Sequence, residues 1–150
     1  MTVAAASEVM THAAASARLA EAMLTPLVIE RAADHACTRG THSRIADGRV
    51  VCWSPPRGDD EVYAVDAEVA AQPLPPHLEV RWRGLWDAHD SFWAAWCASE
   101  VCAKLWDIPI VVLAARSPVG SSPVTLAGHT VTYAVRHEGD LVVALGVLTV

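Results

Sequence analysis

In the stretch FWAAWCASEVCAKLW, Phe92 to Trp106, two charged side chains interrupt a run that is otherwise apolar or small. On a helix Trp96, Glu100 and Lys104 are spaced i, i+4, i+8 and form one stripe. The ordinary account of such a stripe is a wet face with an i, i+4 ion pair worth roughly 0.3 kcal/mol. Two features set a site against that account. Phe92, Trp93, Cys97, Val101, Cys102 and Leu105 fill the flanking faces, so little of the helix is left for solvent, and a carboxylate in such surroundings needs a cation. Upstream, in YAVDAEV, Asp66 and Glu68 are two apart and project from the same face of a strand. Taken alone, that pair reads more readily as a solvated strand face. If the strand lies against the helix, three carboxylates converge. Their repulsion then calls for a cation, and an all-oxygen donor set is what Mg²⁺ prefers.

The elements that must position these groups follow in chain order. Strong helix formers from about Ala5 to Leu24, with Pro26 just beyond, predict a first helix. LVIER (Leu27 to Arg31) predicts a short strand, and ADHACTRGTHSRIADGR reads as loop until VVCWS restores strand character. SPPRGDD is a turn and EVYAVDAEV a strand, which together predict a hairpin over residues 50 to 69. The proline-rich AQPLPPHL breaks regular structure, and the alternation in EVRWRGLW suits a short strand with one wet face. Asp90 or Ser91 caps a helix from Phe92 to Leu105 or Trp106 that must end before Pro109. IPIVVLAA, HTVTYAVRH and DLVVALGVLTV are read as closing strands, the last two joined through HEGD. The expected fold class is α+β, an antiparallel sheet packed with two or three helices. GTHSRIADGRVVCW and GHTVTYAVRHEGDLVVAL share a Gly, His, Ser/Thr opening and an acidic/Gly turn before a Val-Val strand. Duplicated halves and chance likeness in a Val-rich chain account for this echo about equally well.

Composition bounds the function classes. The 150 residues, 53% hydrophobic, suit one domain with a real core. The net charge is −6 and the 11 Lys and Arg residues form no basic run, which argues against a nucleic-acid partner held through phosphates. The Ala-rich start lacks a basic leader and is interrupted by Glu8, His12, Arg18 and Glu21, so it reads as an ordinary helix rather than a signal peptide or membrane span. Cys37, Cys52, Cys97 and Cys102 show no CxxC pairing. They are expected to be reduced, mostly buried thiols of a cytoplasmic protein.

The segments AVDAEV and WCASEVCAK carry a resemblance. A strand ending in hydrophobic-Asp-x-Glu, followed later by a helix of the form W-(C/S/T)-x-K-E-x-x-x-K, is similar to the 4′-phosphopantetheinyl transferase superfamily. THSRIADGRVVCW resembles that family's Ser-His-Ser segment and VTYAVRHEGDLVVALGVLTV its closing hairpin, all in the family's order. The resemblance implies one transferase-like domain over residues 1–150 with pseudo-duplicated halves. Residues 1–55 form a truncated first half and 56–150 the half with the metal-site motifs. It also implies that Asp66, Glu68 and Glu100 hold Mg²⁺, that Glu100 serves as general base, and that Lys104 acts in catalysis and meets the phosphates of coenzyme A. His42 matches a coenzyme A contact, although alone it reads as a loop histidine, and Arg44, with Arg39, Arg81 and Arg83, is a candidate anion contact. The implied partner is an acyl or peptidyl carrier protein.

Departures from the family pattern keep other functions open. Ser99 stands where the family has Lys before its Glu, Ala64 where it has Gly, and the first half is short. One reading is Mg²⁺-dependent transfer of the 4′-phosphopantetheine arm from coenzyme A to a carrier serine. A second is a diverged member that catalyses another reaction, for example a cyclisation, on a natural-product or carrier-bound intermediate, in a pocket lined by Trp82, Trp86, Trp93, Trp96 and Trp106. A third is a non-catalytic partner or homo-oligomer.

Overall fold

The structure, a computed structural model, describes residues 2–35, 40–56, 58, 61–81, 89–116 and 119–149. Along the chain run α1 (Thr2–Ala22), β1 (Val28–Arg31), a 3₁₀ turn (Ala32–Asp34), β2 (Thr41–Arg44), β3 (Arg49–Trp53), β4 (Glu61–Val69), α2 (Pro76–Arg81), α3 (Phe92–Trp106), α4 (Ile110–Arg116), β5 (Val124–Leu126), β6 (His129–Glu138) and β7 (Leu141–Thr149). The class is α+β. The strands form two antiparallel sheets, ordered β1-β3-β2 and β4-β7-β6-β5, where the sequence led to one.

Strand β7 is apolar at nearly every position because it is covered on both faces. Val142 and Ala144 face α3, while Leu141, Val143, Leu145 and Val147 join Trp53, Val65 and Leu19 on the other side. Helix α1 meets that second core through Leu19 and Ala22, with Ala15 buried on the same i, i+4, i+7 stripe. Helix α3 starts at Ser91, whose extended backbone lets its hydroxyl accept from the Ala94 N–H at 3.1 Å. It lies close on β7 because Gly146 offers no side chain. A Cβ there would stand 2.5 Å from Val101 Cγ1 and 3.2 Å from Leu105 Cδ1. Ala64, paired with Gly146 in register, keeps the neighbouring strand equally low under the helix.

Several sequence expectations give way. Thr41–Arg44, read as loop, is a strand paired with β3 from Thr41↔Trp53 to Arg44↔Val50, turning through Gly48 at φ +92°. The hairpin is therefore β2–β3, and β3 and β4 lie in different sheets instead of forming a hairpin over 50 to 69. Gly48 supplies the left-handed residue that this short turn needs, and its N–H bonds the Ile45 carbonyl, whereas Pro55 and Pro56 lack the N–H for a ladder. Glu79–Arg81, assigned to a strand, belongs to α2, which Pro76 opens from its first position; Trp82 to Ala88 lie outside the described residues. IPIVVLAA is also not a strand but helix α4. Its Val112 and Leu113 N–H groups bond the Pro109 carbonyl, and burial of Leu113 against α3 outweighs the β preference of the Ile-Val-Val run. The two echoing segments each form an antiparallel hairpin, closed by Gly48 and by Gly139 at φ +57°.

The expectation of four reduced cysteines is overturned: Cys52 is disulfide-bonded, while Cys97 and Cys102 are free and buried. Cys37 lies outside the described residues. A disulfide depends on Cβ atoms brought within about 4 Å by the fold, which spacing along the chain does not reveal. Cysteine usage therefore lends no support to a reducing compartment. No helix among the described residues is long and apolar enough to cross a membrane.

Candidate active site

Every α3 residue is buried except Trp96, Glu100, Lys104 and Trp106, so the charged stripe is the one polar seam of an otherwise enclosed helix. Lys104 does not close a pair along the helix. Its ammonium donates instead to Asp66 Oδ1 at 3.0 Å and to the Val65 carbonyl at 2.9 Å, with the His42 carbonyl at 3.5 Å. Strand alternation puts Asp66 on the same side of β4 as Ala64, which packs in the α3 core.

Two residues that the sequence reading passed over complete the arrangement. Ser43 donates to Asp66 Oδ1 at 3.0 Å and accepts from the Ala67 N–H at 3.1 Å. Thr41 accepts from the Val65 N–H at 3.3 Å. Strand β4 is at the end of its sheet, and these two hydroxyls of β2 satisfy N–H groups its outer edge would otherwise leave open. The signal was present in THSR, where Thr41 and Ser43 are two apart and share a strand face.

The electrostatics are those of three carboxylates around one lysine. Asp66 is 6% exposed, and burial pushes its carboxyl up despite the opposing pull of Lys104 and Ser43. Burial, then the neighbouring Asp66 charge, lifts Glu100 to about 7. Glu68 is also raised, mainly by burial and further by Asp66, against a 2.9 Å hydrogen bond from Gln72. The Cys97 thiol is held well above its ordinary value by burial and by Asp66. Glu100 and Lys104 open onto a depression of about 520 Å³ bounded by Ala103, Asp107, Ile108, Pro109 and Ile110.

These residues suit a hard divalent cation in type and charge. Asp66 Oδ2 is buried with no hydrogen-bond partner, and three carboxylates exceed the charge of Lys104 by two. Among the described residues, no three His, Cys, Asp or Glu side chains are already gathered into a metal-binding geometry. The carboxylates are thus of the type that a hard cation takes but are not drawn in around one point, and Lys104 holds one oxygen of Asp66.

Not every candidate joins this cluster. The His42 ring turns to the other face of its sheet and stacks edge-on against His35. His42 reaches the site only through its carbonyl. Arg44 and Arg81 are exposed on β2 and α2. Ser99 is 1% exposed and bonds the Ala95 carbonyl at 2.8 Å, facing the core. Trp93 meets Phe92 edge-on and Trp96 stacks on it, and the Trp93 indole N–H donates to the Gln72 carbonyl; Trp106 donates to the His129 carbonyl. Trp82, Trp86, Arg39 and Arg83 lie outside the described residues.

The fold and site define a small α+β protein whose buried aspartate, half-buried glutamates and lysine meet between a strand and a helix. Comparison with protein-family models, with curated proteins and with solved structures found no match.

Proposed function

We propose that this chain transfers the 4′-phosphopantetheine arm of coenzyme A to a serine of an acyl or peptidyl carrier protein. The supporting observation is the 3.0 Å contact of Lys104 with Asp66, which joins the Asp-x-Glu strand to the Glu-x-x-x-Lys face of α3 as the family resemblance requires. Glu100, with its carboxyl near 7, takes the proton of the carrier serine. The serine oxygen forms a bond to the phosphorus bearing the arm, the pyrophosphate bond of coenzyme A breaks, and the nucleotide leaves. Lys104 faces the phosphates from the rim of the depression, where its charge meets the charge that builds up on their oxygens. Mg²⁺, when held by Asp66, Glu68 and Glu100, supplies further charge neutralisation of the phosphates. No nucleophile on the protein is required.

Ser99 favours a second reading. Its buried hydroxyl turns from the site, so the cation that the family carries before its glutamate is missing. Under this reading the fold is kept and another reaction is catalysed, for example a cyclisation of a carrier-bound intermediate. Intact-protein mass spectrometry separates the two. Apo carrier proteins incubated with this chain, coenzyme A and Mg²⁺ gain one phosphopantetheine arm under the first reading, and the gain is lost in Glu100→Gln and Asp66→Ala. No gain across several carriers, with coenzyme A causing no thermal shift, overturns the transferase.

A further inference from the structure

Between the end of α3, helix α4 and β5 lies a recess of about 270 Å³ whose lining shares no residue with the depression at Glu100 and Lys104. Trp106, Leu113, Val119, Val124 and Leu126 form its walls. Val124 and Leu126 are two apart on β5 and share a face, and both pack against the α3 core. Thr125 between them alternates to the other side, where its hydroxyl meets that of Thr130 at 2.9 Å. Trp106 spends its N–H on the His129 carbonyl at 3.1 Å, so its indole offers the recess carbon alone. A hollow beside an irregular segment ordinarily closes up, because interiors pack to the density of organic crystals. Here each wall is tied down. His89 Nε2 donates to the Val119 carbonyl at 2.9 Å, the Tyr133 hydroxyl donates to the Gly120 carbonyl, and the Ser122 hydroxyl accepts from the Tyr133 N–H at 2.9 Å. Strand β5 is held by its ladder from Val124↔Val131 to Leu126↔His129, and Leu113 is 1% exposed. The recess is therefore preformed, and its apolar walls gain by being covered.

We infer that this recess binds a medium-length alkyl chain, the acyl tail of a small molecule whose head group stays in solvent. Size sets the length. An apolar cavity of about 150 Å³ takes one benzene, so about 270 Å³ takes roughly ten carbons. The lining sets the type. Aromatic ligands gain from offset or edge-to-face partners, but only one wall here is a ring, and four are aliphatic side chains to which a flexible chain conforms. Recognition comes from apolar burial, which does not read the head group, so a free fatty acid and an acyl thioester share this chemistry. The inference does not rest on phosphopantetheine transfer, since no residue proposed for that reaction lines the recess.

The test is an NMR titration of the full chain, with isotope-labelled Leu and Val methyl groups, against butanoyl, octanoyl and dodecanoyl chains, each as free carboxylate and as the N-acetylcysteamine thioester. The expected result is saturable binding at one site, with shifts centred on Leu113, Val119, Val124 and Leu126. Octanoyl should bind at least tenfold tighter than butanoyl, because each buried CH₂ adds to the affinity, and the step to dodecanoyl should gain less once the recess is full. Tighter binding of the carboxylates identifies a free fatty acid as the source, and tighter binding of the thioesters an acyl thioester. Val124→Trp and Leu126→Trp, on the short edge strand, fill the recess and should each weaken octanoyl binding at least tenfold. Glu100→Gln should leave it unchanged, so the outcome is read separately from that of the transfer reaction. The comparison of chain lengths on wild type needs no variant to fold. No saturable binding, equal gains at both steps of length, shifts centred away from these methyl groups, unchanged binding in both tryptophan variants, loss of binding in Glu100→Gln, or naphthoate binding as tightly as octanoate overturns the site.

Discussion

Replacing Glu100 by Gln should make the protein more stable at pH 8 and leave it unchanged near pH 4. The folded structure lifts this carboxyl from 4.5 to about 7, through burial first and the Asp66 charge second. Below the unfolded value both states carry the proton and nothing is gained or lost. Between 4.5 and 7 the folded state holds a proton that the unfolded state has released, so stability falls as pH rises through this window. Above 7 the charged, crowded carboxylate is a full penalty. A change from 4.5 to about 7 corresponds to about 3.4 kcal/mol, and water at the half-buried side chain screens this to about 1–2 kcal/mol. The assay is urea denaturation of wild type and Glu100→Gln at half-unit steps from pH 4 to 8.5. Wild type should lose about 1–2 kcal/mol more than the variant across that range. Mg²⁺ added at pH 8 should raise the wild-type midpoint and close the gap. A variant less stable than wild type at pH 8, or a difference that does not vary with pH, refutes the reasoning.

Gly146→Ala forces a methyl against Val101 and Leu105 and should cost about 1–3 kcal/mol in denaturant melts. Because those residues adjoin Glu100 and Lys104, it should also lower any activity measured at the site. Lys104→Met leaves the Asp66 carboxylate buried without its ion-pair partner and should cost about 2 kcal/mol at pH 8. The loss should shrink in acid, since Asp66, already raised by burial, is then protonated in both proteins. Ser43→Ala removes one bond to Asp66 and one to the Ala67 N–H and should cost about 1–3 kcal/mol in the same melts. Ser43→Thr should retain more of that stability than Ser43→Ala.

How much was legible in the chain follows from the range of each interaction. The stripe Trp96, Glu100, Lys104 and the shared face of Asp66 and Glu68 are consequences of helix and strand periods, and α3 and its Ser91 cap are where local spacing puts them. The apolar length of β7 likewise announces a covered central strand. Short apolar runs bounded by proline carry no such period. IPIVVLAA became α4 because Leu113 found a place against α3, and THSR became a strand because β3 was there to pair with it.

The sequence by itself determined which side chains share a face and how much negative charge those faces hold. Only the tertiary structure decided that they meet. Asp66 is joined to Lys104 across 38 positions of the chain and to Ser43 across 23, and Cys52 found a disulfide partner that no motif announced. The reason is physical: periodicity is set by neighbours a few bonds away, whereas these contacts exist only because small residues, Ala64 and Gly146, let a helix settle close on a sheet.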